Sequence, residues 1–81
     1  MRVEVRLFAT LALFLPPASR DGAISLDVPL DSTVHDVLQQ LGMPANLERV
    51  ALVNGNDATP DRALQAGDVL TVFPPLVGGN R

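Results

Sequence analysis

Few side chains in this sequence can do chemistry. There is no Cys and no Lys, and the single imidazole is His35. A thiol nucleophile, a thiolate zinc site, an iron–sulfur cluster and a Schiff base are therefore excluded. His35 has no second His and no nucleophile for company, and it sits off the apolar stripe of a predicted helix. It reads as a solvated helix-face residue rather than a ligand or base. Asp57, Asp61 and Asp68 invite a metal reading, but their spacing does not match an EF-hand loop and turn chemistry accounts for them better. Gly22, Gly42, Gly55 and Gly67 are spread singly and make no phosphate-cradling loop. What remains is the run Phe73-Pro74-Pro75-Leu76-Val77-Gly78-Gly79-Asn80-Arg81. Prolines cannot donate to a sheet ladder and glycines have little to pack, so residues 74–81 read as a flexible, projecting tail. Gly78-Gly79 taken alone would mean no more than a frayed end.

The tail must be carried by a body, and composition bounds that body. The chain has 81 residues, 47% hydrophobic and 19% charged, with a net charge of −3. This is a globular composition of one-domain length, here assigned to residues 1–73. A chain of this size buries only roughly 60% of its unfolded surface, so the core is small. An acidic balance without basic clusters argues against a nucleic-acid partner. The longest mostly apolar run, Leu7 to Pro17, is about 11 residues against the roughly 20 that span a bilayer, so no membrane partner is expected. With no signal-peptide layout at the N-terminus and no disulfides, a soluble cytoplasmic domain is expected.

Periodicity places the elements. Val3, Val5 and Leu7 alternate with Arg2, Glu4 and Arg6, which predicts a strand with one buried face. Ala9 to Leu15 is apolar and stopped by Pro16-Pro17, so it predicts a helical turn or two, mostly a lid on the core. So short a segment can hardly bury every side chain, and part of it is free to face a partner. Ile24, Leu26 and Val28 predict a second strand, ended by Pro29 and paired with the first as a hairpin. Val34, Val37, Leu38 and Leu41 form one helical stripe, with Thr33 as N-cap and Asp36 as the capping-box acid. Gly42 is placed as its C-terminal cap. Arg49 to Val53 predicts a strand that ends in the tight turn Asn54-Gly55, with a further short strand near Asn56 to Ala58. Val69 to Phe73 predicts the last strand. The fold class is α+β: a mixed sheet of four or five strands, one main helix at about residues 33–41, and the projecting tail. Two hairpins around one helix allow the first and last strands to lie parallel at the centre, the β-grasp or ubiquitin-like topology, which is one of several α+β arrangements the pattern allows.

Five stretches, in this order and spacing, resemble the small sulfur carriers of molybdopterin and thiamin synthesis, the MoaD/ThiS family. They are Leu7-Phe8-Ala9 after the first strand, Thr33-Val34-x-Asp36-Val37-Leu38, Val53-Asn54-Gly55, Leu64-x-x-Gly67-Asp68-x-Leu70, and Phe73-Pro74-Pro75-Leu76-Val77-Gly78-Gly79. The Phe-Pro-Pro stretch and the length resemble the small subunit of molybdopterin synthase more than the thiamin carrier. The resemblance implies that an E1-like enzyme, using ATP and Mg²⁺, adenylates the Gly79 carboxylate. Sulfur then replaces AMP to give a thiocarboxylate, and the tail enters the large synthase subunit. It also implies that the carrier is no enzyme itself, binds no cofactor or metal, and supplies Gly78-Gly79 as the reacting end. Phe73, Pro74, Pro75, Leu76 and Val77 are then the partner-binding stretch. These roles suit the residue types. Glycine passes where a Cβ would clash, and paired prolines pre-extend the tail base and lower the ordering cost of insertion. Six residues from Pro74 to Gly79 reach roughly 20 Å.

One feature departs from the family. Asn80-Arg81 follows the second glycine, so Gly79 as encoded has no free carboxylate. Three explanations stand side by side: trimming by a zinc-dependent peptidase, an artefactual remnant, or loss of the carrier role. Correspondingly, the alternatives to a molybdopterin-type carrier are a ubiquitin-like binding module whose tail is never activated, a carrier for another pathway (thiamin, amino acid or tRNA thiolation), and a covalent protein modifier. Phe73 itself has two readings, a core cap or an exposed anchor.

Overall fold

A computed structural model of the chain describes residues 1–75. Leu76, Val77, Gly78, Gly79, Asn80 and Arg81, on which most of the tail expectation falls, lie outside the described residues. In chain order the elements are β1 (Arg2–Leu7), a 3-10 segment (Ala9–Phe14), β2 (Ala23–Asp27), α1 (Val34–Gln40), β3 (Val50–Val53), β4 (Asn56–Asp57) and β5 (Val69–Phe73). They form one five-stranded sheet in the order β2-β1-β5-β3-β4. β1 lies parallel to β5, and the other neighbours are antiparallel. This is the mixed sheet with a central parallel pair that the two hairpins and single helix predict.

Alternation decides which side chains meet the helix. Val3, Val5 and Leu7 of β1, Leu70 and Val72 of β5, and Val53 of β3 are buried together with Val34, Val37 and Leu38 of α1. Leu11 of the 3-10 segment and Leu64 of the long connection close the ends of this core. The apolar lid divides as its length requires: Leu11 is buried, whereas Leu13 is 73% exposed. No described helix is long and apolar enough to cross a membrane.

Local signals hold the elements in place. The Asp36 N–H donates to Thr33 Oγ1 at 3.1 Å, and the Thr33 N–H donates to Asp36 Oδ2 at 3.0 Å, a complete capping box. These bonds hold the Asp36 carboxyl below the ordinary carboxylate range, the Thr33 backbone bond contributing most. A helix of two turns does not persist alone, so this cap and the buried stripe supply its stability jointly. Arg49 ties the loop before β3, its Nη1 donating to the carbonyls of Pro44, Ala45 and Leu47. At the β3–β4 turn, Asn54 and Gly55 have φ of 52° and 86°, the pair of positive values that a two-residue hairpin turn needs. Asn54 does more than turn the chain. Its Nδ2 donates to Asp68 Oδ1 at 2.9 Å, and its Oδ1 accepts from the Val69 N–H at 2.9 Å. Asp68, nearly buried, also accepts from the Gln65 N–H at 2.8 Å. The turn is thereby pinned to the start of β5.

Two outcomes follow from this anchoring. Asn54→Ala leaves the Asp68 carboxylate short of a donor and is expected to cost about 2 kcal/mol, a Tm lower by about 10 °C in thermal unfolding. Asp36→Asn tests the cap through pH. A carboxyl whose folded pKa is depressed stabilises above its unfolded pKa, and that stability is lost as pH falls through the folded value. The Tm gap between wild type and Asp36→Asn is expected to be constant above about pH 5 and to close below about pH 4.

Candidate functional site

The candidate site is the root of the tail, and β5 positions it. Val72 points into the core, so Phe73 belongs to the opposite face of the sheet, the one without a helix. There β5 carries Val69, Thr71 and Phe73, and β3 places Val50 directly across from Phe73. Phe73 is half-buried, as are Pro74 and Pro75 after it. It belongs neither to the buried core nor to open solvent: one side rests on the sheet and the other faces out.

A neighbour of Phe73 escapes a reading by sequence alone. Leu7 pairs with Val72, and the Phe8 N–H donates to the Val72 carbonyl at 3.1 Å in the same parallel ladder. Phe8, with extended backbone at φ −117° and ψ 158°, follows that last pair and is 50% exposed. The next residue turns sharply, since Ala9 has φ +53°, a left-handed conformation that costs a residue with a Cβ roughly 1 kcal/mol. The strain sits where β1 gives way to the lid, at the same end as the tail root. Continuing the alternation of Arg2, Glu4 and Arg6 by one step would have put Phe8 on the open face. Nothing in the sequence shows its bond to Val72, which depends on the register of a parallel contact between distant strands.

The open face is divided by charge. Across β1 and β2 it is ionic: Arg2 Nη2 meets Asp27 Oδ2 at 2.8 Å, and Arg6 pairs with Glu4. The Arg2 guanidinium, first through its hydrogen bond, holds the Asp27 carboxyl below the usual range. Both ion pairs are exposed and add little stability. Across β5 and β3 the face is apolar, leading to Phe73. Of the side chains considered for a metal, Asp68 is engaged with Asn54 and Gln65, Asp61 accepts from the Thr59 hydroxyl, and Asp57 belongs to β4 opposite Leu52. Turn and strand roles occupy them, and no group of three potential ligands gathers among the described residues. His35 lies in the first turn of α1, partly exposed. Of the expected site residues, the structure joins Phe73, Pro74 and Pro75 at the end of β5; Leu76, Val77, Gly78 and Gly79 lie outside the described residues.

Comparison with known proteins agrees with the fold. The family model described as Mut7-C ubiquitin matches residues 1–77. SAMP1 from Haloferax volcanii, a small archaeal modifier protein, is 31% identical. The alignment covers 98% of this chain and 100% of that one, with a TM-score of 0.74. A putative molybdopterin converting factor subunit 1 from Pyrococcus furiosus is 23% identical over 93% of this chain and 98% of its own, with a TM-score of 0.69. Subunits 1 and 2 of the molybdopterin-converting factor from Helicobacter pylori have been solved as a protein–protein complex; the match there is 20% identical over 98% of this chain and 100% of that one, TM-score 0.62. The last two likenesses show the fold alone. None of the curated proteins matches the chain.

The placement of Phe73 outside the core is checkable by substitution. Leu70→Ala, which empties a fully buried site, is expected to cost about 3 kcal/mol. Phe73→Ser, three residues on but on the open face, is expected to cost about 1 kcal/mol. Equal losses in urea unfolding would place Phe73 in the core.

Proposed function

This chain belongs to the Mut7-C ubiquitin family, and from that premise we propose that it is a sulfur carrier of the molybdopterin-synthase small-subunit type. The observation that carries the reading is the continuity of the chain. The central strand of a ubiquitin-like sheet runs directly into Pro74-Pro75-Leu76-Val77-Gly78-Gly79. The chain has no thiol and no side-chain amine, and the group this reading uses is a backbone carboxylate.

In this reading the chain is substrate and partner of enzymes. A zinc-dependent peptidase first removes Asn80-Arg81 and frees the Gly79 carboxylate. An E1-like enzyme joins that carboxylate to AMP, with ATP as donor, Mg²⁺ as counter-ion and pyrophosphate as leaving group. A sulfur nucleophile then displaces AMP and leaves the thiocarboxylate. A carboxylate alone is a poor acyl electrophile, which is why the adenylate is needed. The loaded tail next enters a sulfur-accepting enzyme such as the large subunit of molybdopterin synthase. The Helicobacter pylori complex of two converting-factor subunits supports a partner of that kind. The use of ATP suits the cytoplasm.

A second reading has its own observation. The 31% identity to a small archaeal modifier protein favours transfer of the same activated Gly79 acyl group to an amine of another protein. Activation is common to both, and only the nucleophile differs. Lacking Lys, this chain offers no side-chain amine for Lys-linked chains of itself.

Intact-mass analysis of the protein from its native host tests both. The carrier reading expects loss of Asn80-Arg81 together with a gain equal to sulfur replacing oxygen. The modifier reading expects the trimmed chain joined through Gly79 to Lys residues of other proteins. An unchanged 81-residue mass in cells making the sulfur-containing cofactor overturns both, and a Gly79→Ala variant that still supports the pathway removes the tail from the mechanism.

A further inference from the structure

Four asparagines stand in the sequence, and Asn54 alone of them precedes a glycine. The side-chain amide of an asparagine is an electrophile within reach of the next residue's backbone nitrogen. A following glycine, with no Cβ, puts the least bulk in the way of that attack. The β3–β4 turn leaves the nucleophile free and holds the electrophile. Asn54 and Gly55 are both exposed, and the space beside Gly55 is open. No described residue accepts a backbone hydrogen bond from the Gly55 N–H. The Asn54 amide, by contrast, is engaged at both polar atoms. Its Nδ2 donates to Asp68 Oδ1 and its Oδ1 accepts from the Val69 N–H, each at 2.9 Å. These two bonds tether Cγ to the foot of β5, and it is free to meet the Gly55 nitrogen only when they open.

We propose that Asn54 is a site of spontaneous deamidation, gated by opening of its link to Asp68 and Val69. The Gly55 amide nitrogen attacks Asn54 Cγ; the N–Cγ bond forms and the Cγ–Nδ2 bond breaks. Nδ2 leaves as ammonia, taking the Gly55 amide proton, and a cyclic succinimide remains. Water then opens either carbonyl of the ring, giving aspartate or isoaspartate at position 54. Neither product restores the link. The atom lost as ammonia is the donor that Asp68 uses, and a carboxylate only accepts. Asp68, nearly buried, then faces a second negative charge in place of that donor. Isoaspartate also lengthens the backbone inside a two-residue turn that needs positive φ at both positions. Opening therefore becomes permanent once the amide has reacted, and β5 loses its side-chain tie to the turn. The reaction needs only water, so it does not depend on the fate of the tail.

Peptide mapping of the full-length chain, held at neutral pH over time, tests this. Cleavage after Arg49 and Arg62 releases residues 50–62, and fragmentation locates the mass change of hydroxyl replacing amine. Asn54 is expected to react in the folded chain at least about tenfold more slowly than in the urea-unfolded chain, yet faster than the exposed Asn46. Asp68→Ala removes the acceptor of Nδ2 and is expected to speed the reaction at least about threefold. In wild type the rate is expected to stay level across low urea and to climb only near the unfolding transition, as a local opening requires. That measurement needs no variant, so it decides the matter even if Asp68→Ala does not fold. Asn54→Asp, which mimics one product, is expected to melt about 3 °C or more below Asn54→Ala at neutral pH. Asn54 reacting no faster than Asn46 overturns the site. A folded rate equal to the unfolded one, a rate that rises with urea from the start, or an unchanged rate in a folded Asp68→Ala overturns the gate. Asn54→Asp as stable as Asn54→Ala overturns the permanence of the opening.

Discussion

The parallel contact between β1 and β5 is the constraint from which the rest of the structure follows. Parallel neighbours cannot be joined by a tight turn, so the chain must spend everything between Leu7 and Val69 on a crossover. It spends it on a lid, an edge strand, one helix and a second hairpin, and each of these covers or borders the central pair. Val5, Leu70 and Val72 of the pair are wholly inside, as are Val37 of α1 and Val53 of β3. Antiparallel pairing of the same two strands would carry the end of the last strand to the opposite pole, away from Phe8 and the lid.

Around this pair, local devices add to the stability that apolar burial supplies. A small core leaves little margin, and the short helix could not stand on its stripe alone. The reciprocal bonds of Thr33 and Asp36, the Arg49 knot on the loop before β3, and the Asn54–Asp68 link each fix a place where the crossover changes direction. The ion pairs on the open face contribute little by comparison, and their interest lies in dividing that face into an ionic half and an apolar half.

How far this was legible from sequence depends on the range of the interaction concerned. Period-two alternation at Val3, Val5 and Leu7, the stripe from Val34 to Leu41, and Asn54-Gly55 are local signals, and each led to the element found. Thr33 and Asp36 announced their own cap. The chain pattern together with the family resemblance brought out the β-grasp order. The side-chain half of the turn stayed hidden, because Asn54 meets Asp68 across fourteen residues and no local rule pairs them. The bond from Phe8 to Val72 stayed hidden for the same reason, compounded by register: a one-step slip would carry Phe8 to the other face. The lid was legible as partly exposed from its length, but the choice of Leu11 for burial and Leu13 for exposure was not.

The central pair also sets when the protein can finish folding. Of the five strands of this sheet β1 leaves the ribosome first and β5 last, so for most of their synthesis the strand destined for the middle of the sheet has only β2 beside it. Non-local pairings of this kind are slow to form, because the loop must close before any contact rewards it. The sheet therefore closes only once residues 69–73 have been made. An incomplete chain has no docked β5, and so no fixed place for Phe73 at its end. Completion of the core is in this way made conditional on the last strand.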